Sequence, residues 1–296
     1  MKIYINQDEI EFILEQEKSL GDVYNSVEKW LALQSYSITE LFLDDEEILI
    51  TDKKNWESLP FSDKESFRVT ALTLAELKSQ NLKTLLNFCQ MIQRSLKEGN
   101  VELLNELLHE YTYIENSYEV LLEDFSHSIK NHMNSILASN GFRPQGERSE
   151  ENVKKVLESF IMLEAVIQGR LEEVNDPFRS GKECYDAIVN LMPRMEEVSL
   201  MLQTGKDKEA MDVIICFSEL FQKLLRIYTY LPRETQENHH EDLKAYINDM
   251  SGILKDLTEA FTSEDSVLMG DLMEYEIMPR MESFPKFFES MNSKGN

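Results

Sequence analysis

The stretch Phe67-Arg-Val-Thr-Ala-Leu-Thr-Leu-Ala-Glu76 decides the fold, because the period of the chain changes inside it. Phe67, Val69 and Ala71 alternate with Arg68 and Thr70, the two-residue repeat of a half-buried strand. From Thr73 the pattern is Thr-x-x-Glu, in which a hydroxyl and a carboxylate each take up a backbone N–H that a starting helix leaves open. Beyond it the apolar residues Leu82, Leu85, Leu86, Cys89, Ile92 and Leu96 recur at helical spacing, and Gly99 closes the stripe as a C-cap. The switch predicts an α+β chain: a small sheet domain over residues 1–72 and an all-helical bundle over 73–296.

Working upstream, Lys2–Asn6 alternates with Ile3 and Ile5 on one face, and Ile10, Phe12 and Leu14 alternate after a turn near Gln7-Asp8. That is a hairpin pattern. Ser19-Leu-Gly-Asp22 reads as a capped helix start, followed by Val23, Val27, Trp30 and Leu31 on one face. Ile38–Leu43, an acidic turn at Asp44–Glu47 and Ile48–Ile50 make a second hairpin, and a loop around Trp56–Pro60 precedes the strand at Phe67. The order, two strands, a helix, two strands and a last strand, resembles the ubiquitin-like β-grasp fold. A conjugated modifier ends in an exposed di-glycine tail, whereas here Ala71-Leu72 runs into the Thr73 cap. The resemblance therefore implies a fixed interaction module.

Downstream, Leu104, Leu107, Leu108, Tyr111, Ile114, Tyr118, Leu121, Phe125, Ile129 and Met133 predict one long helix to about Ala138, broken by Asn140–Pro144. A helix follows over 153–174, stopped at Asp176-Pro177, and then helices over 180–203, 206–231, 240–262 and 264–290, seven in all. Placing Leu85 on Leu191 also places Ile92 on Val198, Gly99 on Gly205, Leu108 on Ile214 and Tyr111 on Phe217. Two related helical hairpins, within repeat units 73–175 and 179–290, are the expectation.

Composition narrows the partners. With 55 acids against 30 bases the formal net charge is −25. Nucleic acid and anionic membrane are disfavoured, since both are bound through clustered Lys and Arg. A basic protein partner is favoured. The start MKIYINQDEIEF has no long apolar core, so no signal peptide is expected, and no run approaches a membrane span. Cys89, Cys184 and Cys216 form no CxxC pair and sit in apolar helical contexts, which predicts reduced core thiols and a cytoplasmic protein.

Catalytic signatures are weak. Asp124 and His127 have the acid–His spacing of di-iron bundles, but such a site needs a second copy. Adjacent His239 and His240 point apart and make a poor chelate. GxSxG, GxGxxG and GxxxxGK[ST] do not occur. No catalytic, cofactor-binding or metal residue is assigned, and no enzyme activity is expected.

The remaining candidate is Asp271-Leu-Met-Glu-Tyr-Glu-Ile-Met-Pro-Arg-Met281. On a regular helix Leu268, Leu272, Tyr275 and Pro279 share one face, while Asp271 and Glu274 share another with Glu276 between, and Pro279 bends the helix. Carboxylates beside one another on one face do not make an acid–base pair across a cleft. They suit a recognition surface of Asp271, Met273, Glu274, Tyr275, Glu276 and Met278 that meets a basic or amphipathic helix. Of 14 methionines many fall late, among them Met192, Met195, Met201, Met211, Met250, Met269 and Met281, as groove lining or as core filler.

The segment Glu264–Pro279, with its Asp-Leu-x-Glu-Tyr-Glu-x-x-Pro run, together with Trp56 and Leu59-Pro60 near the start, resembles a family of uncharacterised bacterial acidic helical proteins with a β-grasp beginning. Some of its members lie beside motility genes, and flagellar export chaperones are likewise small acidic bundles. The resemblance implies no activity; the expectation is a non-enzymatic cytosolic adaptor or chaperone-like protein whose helical groove holds a partner's helix, with a link to motility from the neighbouring genes. The alternatives are an enzyme of unrecognised type with acids inside the bundle, and a purely structural oligomer.

Overall fold

The computed structural model describes residues 1–284 apart from 13, 15–16, 123–127, 145, 147 and 232–239, and apart from the side chains of 63 and 240–244. It divides into two compact units, Met1–Thr84 and Leu85–Asn296.

In the first unit β1 (Lys2–Ile5), β2 (Asp8–Ile10), α1 (Leu20–Leu33), β3 (Tyr36–Leu43), β4 (Glu46–Ile48) and β5 (Ser66–Thr73) form a five-stranded sheet with one helix. The sheet order is β2-β1-β5-β3-β4, with β1 and β5 parallel and the other pairs antiparallel. Both hairpins turn on two residues with positive φ, Asn6-Gln7 and Asp44-Asp45, the geometry that matches strand twist. Alternation sends Ile3, Ile5, Leu41, Leu43, Phe67, Val69 and Ala71 to one buried face, where they meet Leu20, Val23, Tyr24, Val27 and Leu31 of α1. Ser19 and Asp22 form the expected capping box at the start of α1. Gly21 is required there, because a Cβ would come within 2.8 Å of the Glu57 carbonyl oxygen. Trp30, expected on the core face, is 37% exposed, and the aromatic that packs edge-on against Tyr24 is Trp56.

The Thr73–Glu76 box is present too: Glu76 Oε2 accepts from the Thr73 N–H at 2.8 Å and Thr73 Oγ1 accepts from the Glu76 N–H at 3.2 Å. It opens α2 (Leu74–Glu98), whose first residues belong to the first unit, so that unit closes at Thr84, later than the period switch.

In the second unit α2 turns at Gly99 (φ 67°) into α3 (Val101–Leu122). Then come α4 (Ile129–Ser139), α5 (Glu150–Asn175), α6 (Pro177–Glu196) and α7 (Val198–Gln203). A second glycine turn, Gly205 (φ 75°), leads into α8 (Asp207–Tyr228), followed by α9 (His240–Thr262). The described chain ends with α10 (Ser266–Asp271), a π-helical turn (Leu272–Ile277) and α11 (Met278–Met281).

Three expected helices are therefore divided. The long helix ends at Leu122, and a new one begins at Ile129 because Ser128 Oγ caps it by accepting from the Asn131 N–H. The helix over 180–203 breaks at Glu197, after Pro193 has removed one backbone donor from its last turns. The last helix is interrupted by the π turn ahead of Pro279. The late methionines are core: Met195, Met250, Met269, Met273 and Met281 are buried in one cluster running from Cys184 to Phe284, and Met192, Met201, Met211 and Met278 pack against it. Of the two readings of the late methionines, groove lining or core filler, the structure shows core filler. Cys89 and Cys184 are buried as expected, but Cys216 is exposed on α8.

Candidate functional site

Asp265 caps α10 by accepting from the Leu268 N–H at 2.9 Å, and Gly270 faces α7. A Cβ at Gly270 would sit 3.6 Å from Ser199 Oγ and 3.7 Å from a Leu202 methyl. Between the two helices is a cavity of about 250 Å³ lined by Ser199, Leu202, Gln203, Ser266, Val267 and Asp271. Of its lining Val267 is 74% exposed, and two further apolar side chains of these segments, Leu200 at 61% and Tyr275 at 63%, are exposed outside the lining.

The six residues expected at this surface divide. Asp271, Glu274 and Tyr275 are exposed, and Asp271 lines the cavity. Glu276 is held by Arg280 Nη1 at 2.8 Å, and Arg280 in turn reaches Asp249 of α9, so this carboxylate is committed within the molecule. Met273 is fully buried, which removes it from the surface, and Met278 is partly buried against the core. The core face of this segment is Met269, Leu272, Met273, Ile277 and Met281, not the face of Leu268, Tyr275 and Pro279, all three of which are exposed. Of the expected apolar face only Leu272 is buried, while Asp271 and Glu274 are exposed as expected.

A larger concavity of about 640 Å³ lies between α3, α4 and the turn after α4. Asn105, His109, Thr112 and Glu115 reach it from α3, Asn134 from α4 and Arg143 from the turn, over an apolar floor that includes Leu108 and Phe142. Arg143 Nη1 donates to Glu115 at 2.9 Å, and its guanidinium lies 5.1 Å from the centre of the Tyr111 ring. Burial pushes the phenols of Tyr111 and Tyr118 far up, so both stay neutral. Of this site the sequence pattern marks only the helix break at Asn140–Pro144. The available signal was the polar row Asn105, His109 and Thr112 at helical spacing, which reads like any solvated face.

A third polar cluster is buried. Glu173 of α5 accepts from Arg226 of α8 at 2.7 and 3.1 Å and from Arg170 at 3.4 Å. With its carboxylate bound to two guanidinium groups, Glu173 joins α5 to α8 and is not poised as a base. Burial raises the thiols of Cys89 and Cys184 to about 12, leaving them protonated and unreactive. Among the described residues no group of three or more His, Cys, Asp or Glu could hold a metal ion, and no helix is long and apolar enough to cross a membrane. Asp124, His127 and His239 lie outside the described residues.

Fold and surfaces define an α+β chain, a small mixed sheet followed by a helical body. Residues 1–73 match the family model described as the TP0873 N-terminal domain, and residues 179–287 match a domain of unknown function, DUF8042. The two matches point to an uncharacterised family. Comparison with curated proteins and with solved structures returns no match.

Proposed function

We propose that the chain is a non-catalytic binding protein, an adaptor or chaperone, that seats a basic amphipathic helix of a partner protein across α7 and α10. The observation that carries this reading is the cavity between these helices, with exposed Val267 in its lining and exposed Leu200 and Tyr275 on the same short segments. Contiguous exposed apolar surface marks interaction sites. Asp271 and Glu274 stand beside it without a cationic partner among the described residues, and the whole chain carries −25, so the charge complement is basic. The π turn adds support, because such turns recur where a helix presents functional side chains. In this reading the first unit is a ubiquitin-like β-grasp module, a second fixed docking element whose sheet order supports the resemblance. The protein acts in the cytoplasm, and the motility association of similar proteins suggests where its partner belongs.

The test compares affinity capture from the native cell by the wild type and by the double variant Val267→Asp, Tyr275→Ser. Both positions are exposed, so the thermal midpoint should hold, while a partner captured by the wild type should be lost. Equal capture of the same proteins by both forms would remove α7–α10 as the docking face.

A further inference from the structure

We infer that the α3–α4 concavity is a second, independent site, which binds a small oxyanion-bearing molecule, a carboxylate or a phosphate. Two asparagines of its lining are held in one orientation. Asn105 Oδ1 accepts from Arg148 Nη2 at 3.1 Å, and Asn134 Oδ1 accepts from Arg143 Nη1 at 3.5 Å. A guanidinium has no acceptor, so neither carboxamide can flip without setting donor against donor. Each NH₂ group is thereby turned away from its arginine, and neither donates to any described residue. Both hydrogen bonds of Arg143 leave from Nη1, so its Nε and Nη2 are likewise available among the described residues. His109 adds an exposed imidazole whose ring makes only an edge contact with Tyr113.

The described lining thus holds two fixed amide donors, a guanidinium edge and an imidazole. Its one carboxylate, Glu115, is already bound to Arg143. In a chain of net charge −25 this is a local reversal of character, from acidic to donor-rich. An oxyanion accepts from such a set through several lone pairs at once, and bonds from a charged donor are the strong ones. The apolar floor of Leu108 and Phe142 receives the body of the ligand. At about 640 Å³ the space is that of a small-molecule site.

The experiment follows the side-chain NH₂ resonances of Asn105 and Asn134 in the full-length protein during titration with inorganic phosphate, with citrate, and with chloride at matched ionic strength. Saturable shifts of both with phosphate or citrate, and none with chloride, are expected; which probe saturates first tells phosphate from carboxylate ligands. Asn134→Asp and Asn105→Asp each keep the oxygen that accepts from arginine but replace the NH₂ donor by negative charge. Each should keep the thermal midpoint and weaken binding by about tenfold or more. Two results overturn the inference: no saturable shift beyond chloride, or unchanged binding in a folded Asp variant. Should one variant fail to fold, the other decides.

Discussion

Asn6 lies in the β1–β2 turn at φ 50°, yet its side chain pairs with β5 as a strand residue would. Its Nδ2 donates to the Ala71 carbonyl oxygen and its Oδ1 accepts from the Ala71 N–H, both at 2.8 Å. The ladder between β1 and β5 ends at Ile5–Val69, so this carboxamide extends the sheet by one pair. Asn also tolerates the left-handed backbone that the turn needs. Asn6→Ala loses both bonds and leaves a strained turn, and should cost about 2–4 kcal/mol. Asn6→Gly relieves the strain alone and should recover about 1 kcal/mol of that loss. Urea unfolding followed by the fluorescence of buried Trp56 measures both; equal stability of all three proteins would refute the clamp. Nothing in local periodicity marks Asn6, because its partner is far away in sequence. The same limit explains Trp30 and Cys216: a helical period locates the apolar face but not its edges, and residues at the edge were read as core.

At the level of elements, what was legible is what is local. The caps at Ser19 and Thr73, the glycine turns at Gly99 and Gly205 and the alternation of β1, β3 and β5 depend on near neighbours and are present in the structure. The end of the chain was misread because its packing stripe is not α-helical. Met269, Met273, Ile277 and Met281 are all buried at a strict spacing of four. On a turn of 3.6 residues that stripe drifts by about 40° at each step. The wider π turn over Leu272–Ile277 keeps it facing the core, and carries Tyr275 and Glu274 outward. The α-helical reading instead collected Leu268, Tyr275 and Pro279, which fit a regular helix and face solvent. It follows that Leu272→Ala and Met273→Ala should each cost about 2–5 kcal/mol through lost burial and a residual cavity. Glu274→Ala, on the exposed side, should stay within about 0.5 kcal/mol. Thermal midpoints of the three variants check this. A large loss for Glu274→Ala with none for Met273→Ala would mean that the segment is turned the other way.

For the whole molecule the question is whether its two units are separate folding bodies. The hydrophobic cluster under the sheet is drawn from Ile3 to Ala71, and each of its residues is accounted for by one sheet face, one helix and the loop that carries Trp56, while Leu82 at the end of the unit is buried outside that cluster. The family match to this end of the chain stops at residue 73, where the strand passes into the Thr73 cap. A separate match covers 179–287, in the stretch that builds the core from Cys184 to Phe284. Domains of this small size fold alone when the sheet is covered by a helix and the edge strands are short, and β2 and β4 have three residues each. Met1–Thr84, which keeps the capping box and the opening of α2, should therefore fold when expressed by itself. Its amide NMR spectrum should be dispersed, with the Ile3–Phe67 and Leu41–Val69 pairs detectable as cross-strand contacts in the register seen here. It should unfold in one cooperative step, since one core holds every strand. An amide spectrum collapsed to random-coil shifts would show that the sheet depends on the helical body. The first unit would then be a part of that body, not a module joined to it, and its role as a separate docking element would fall with it.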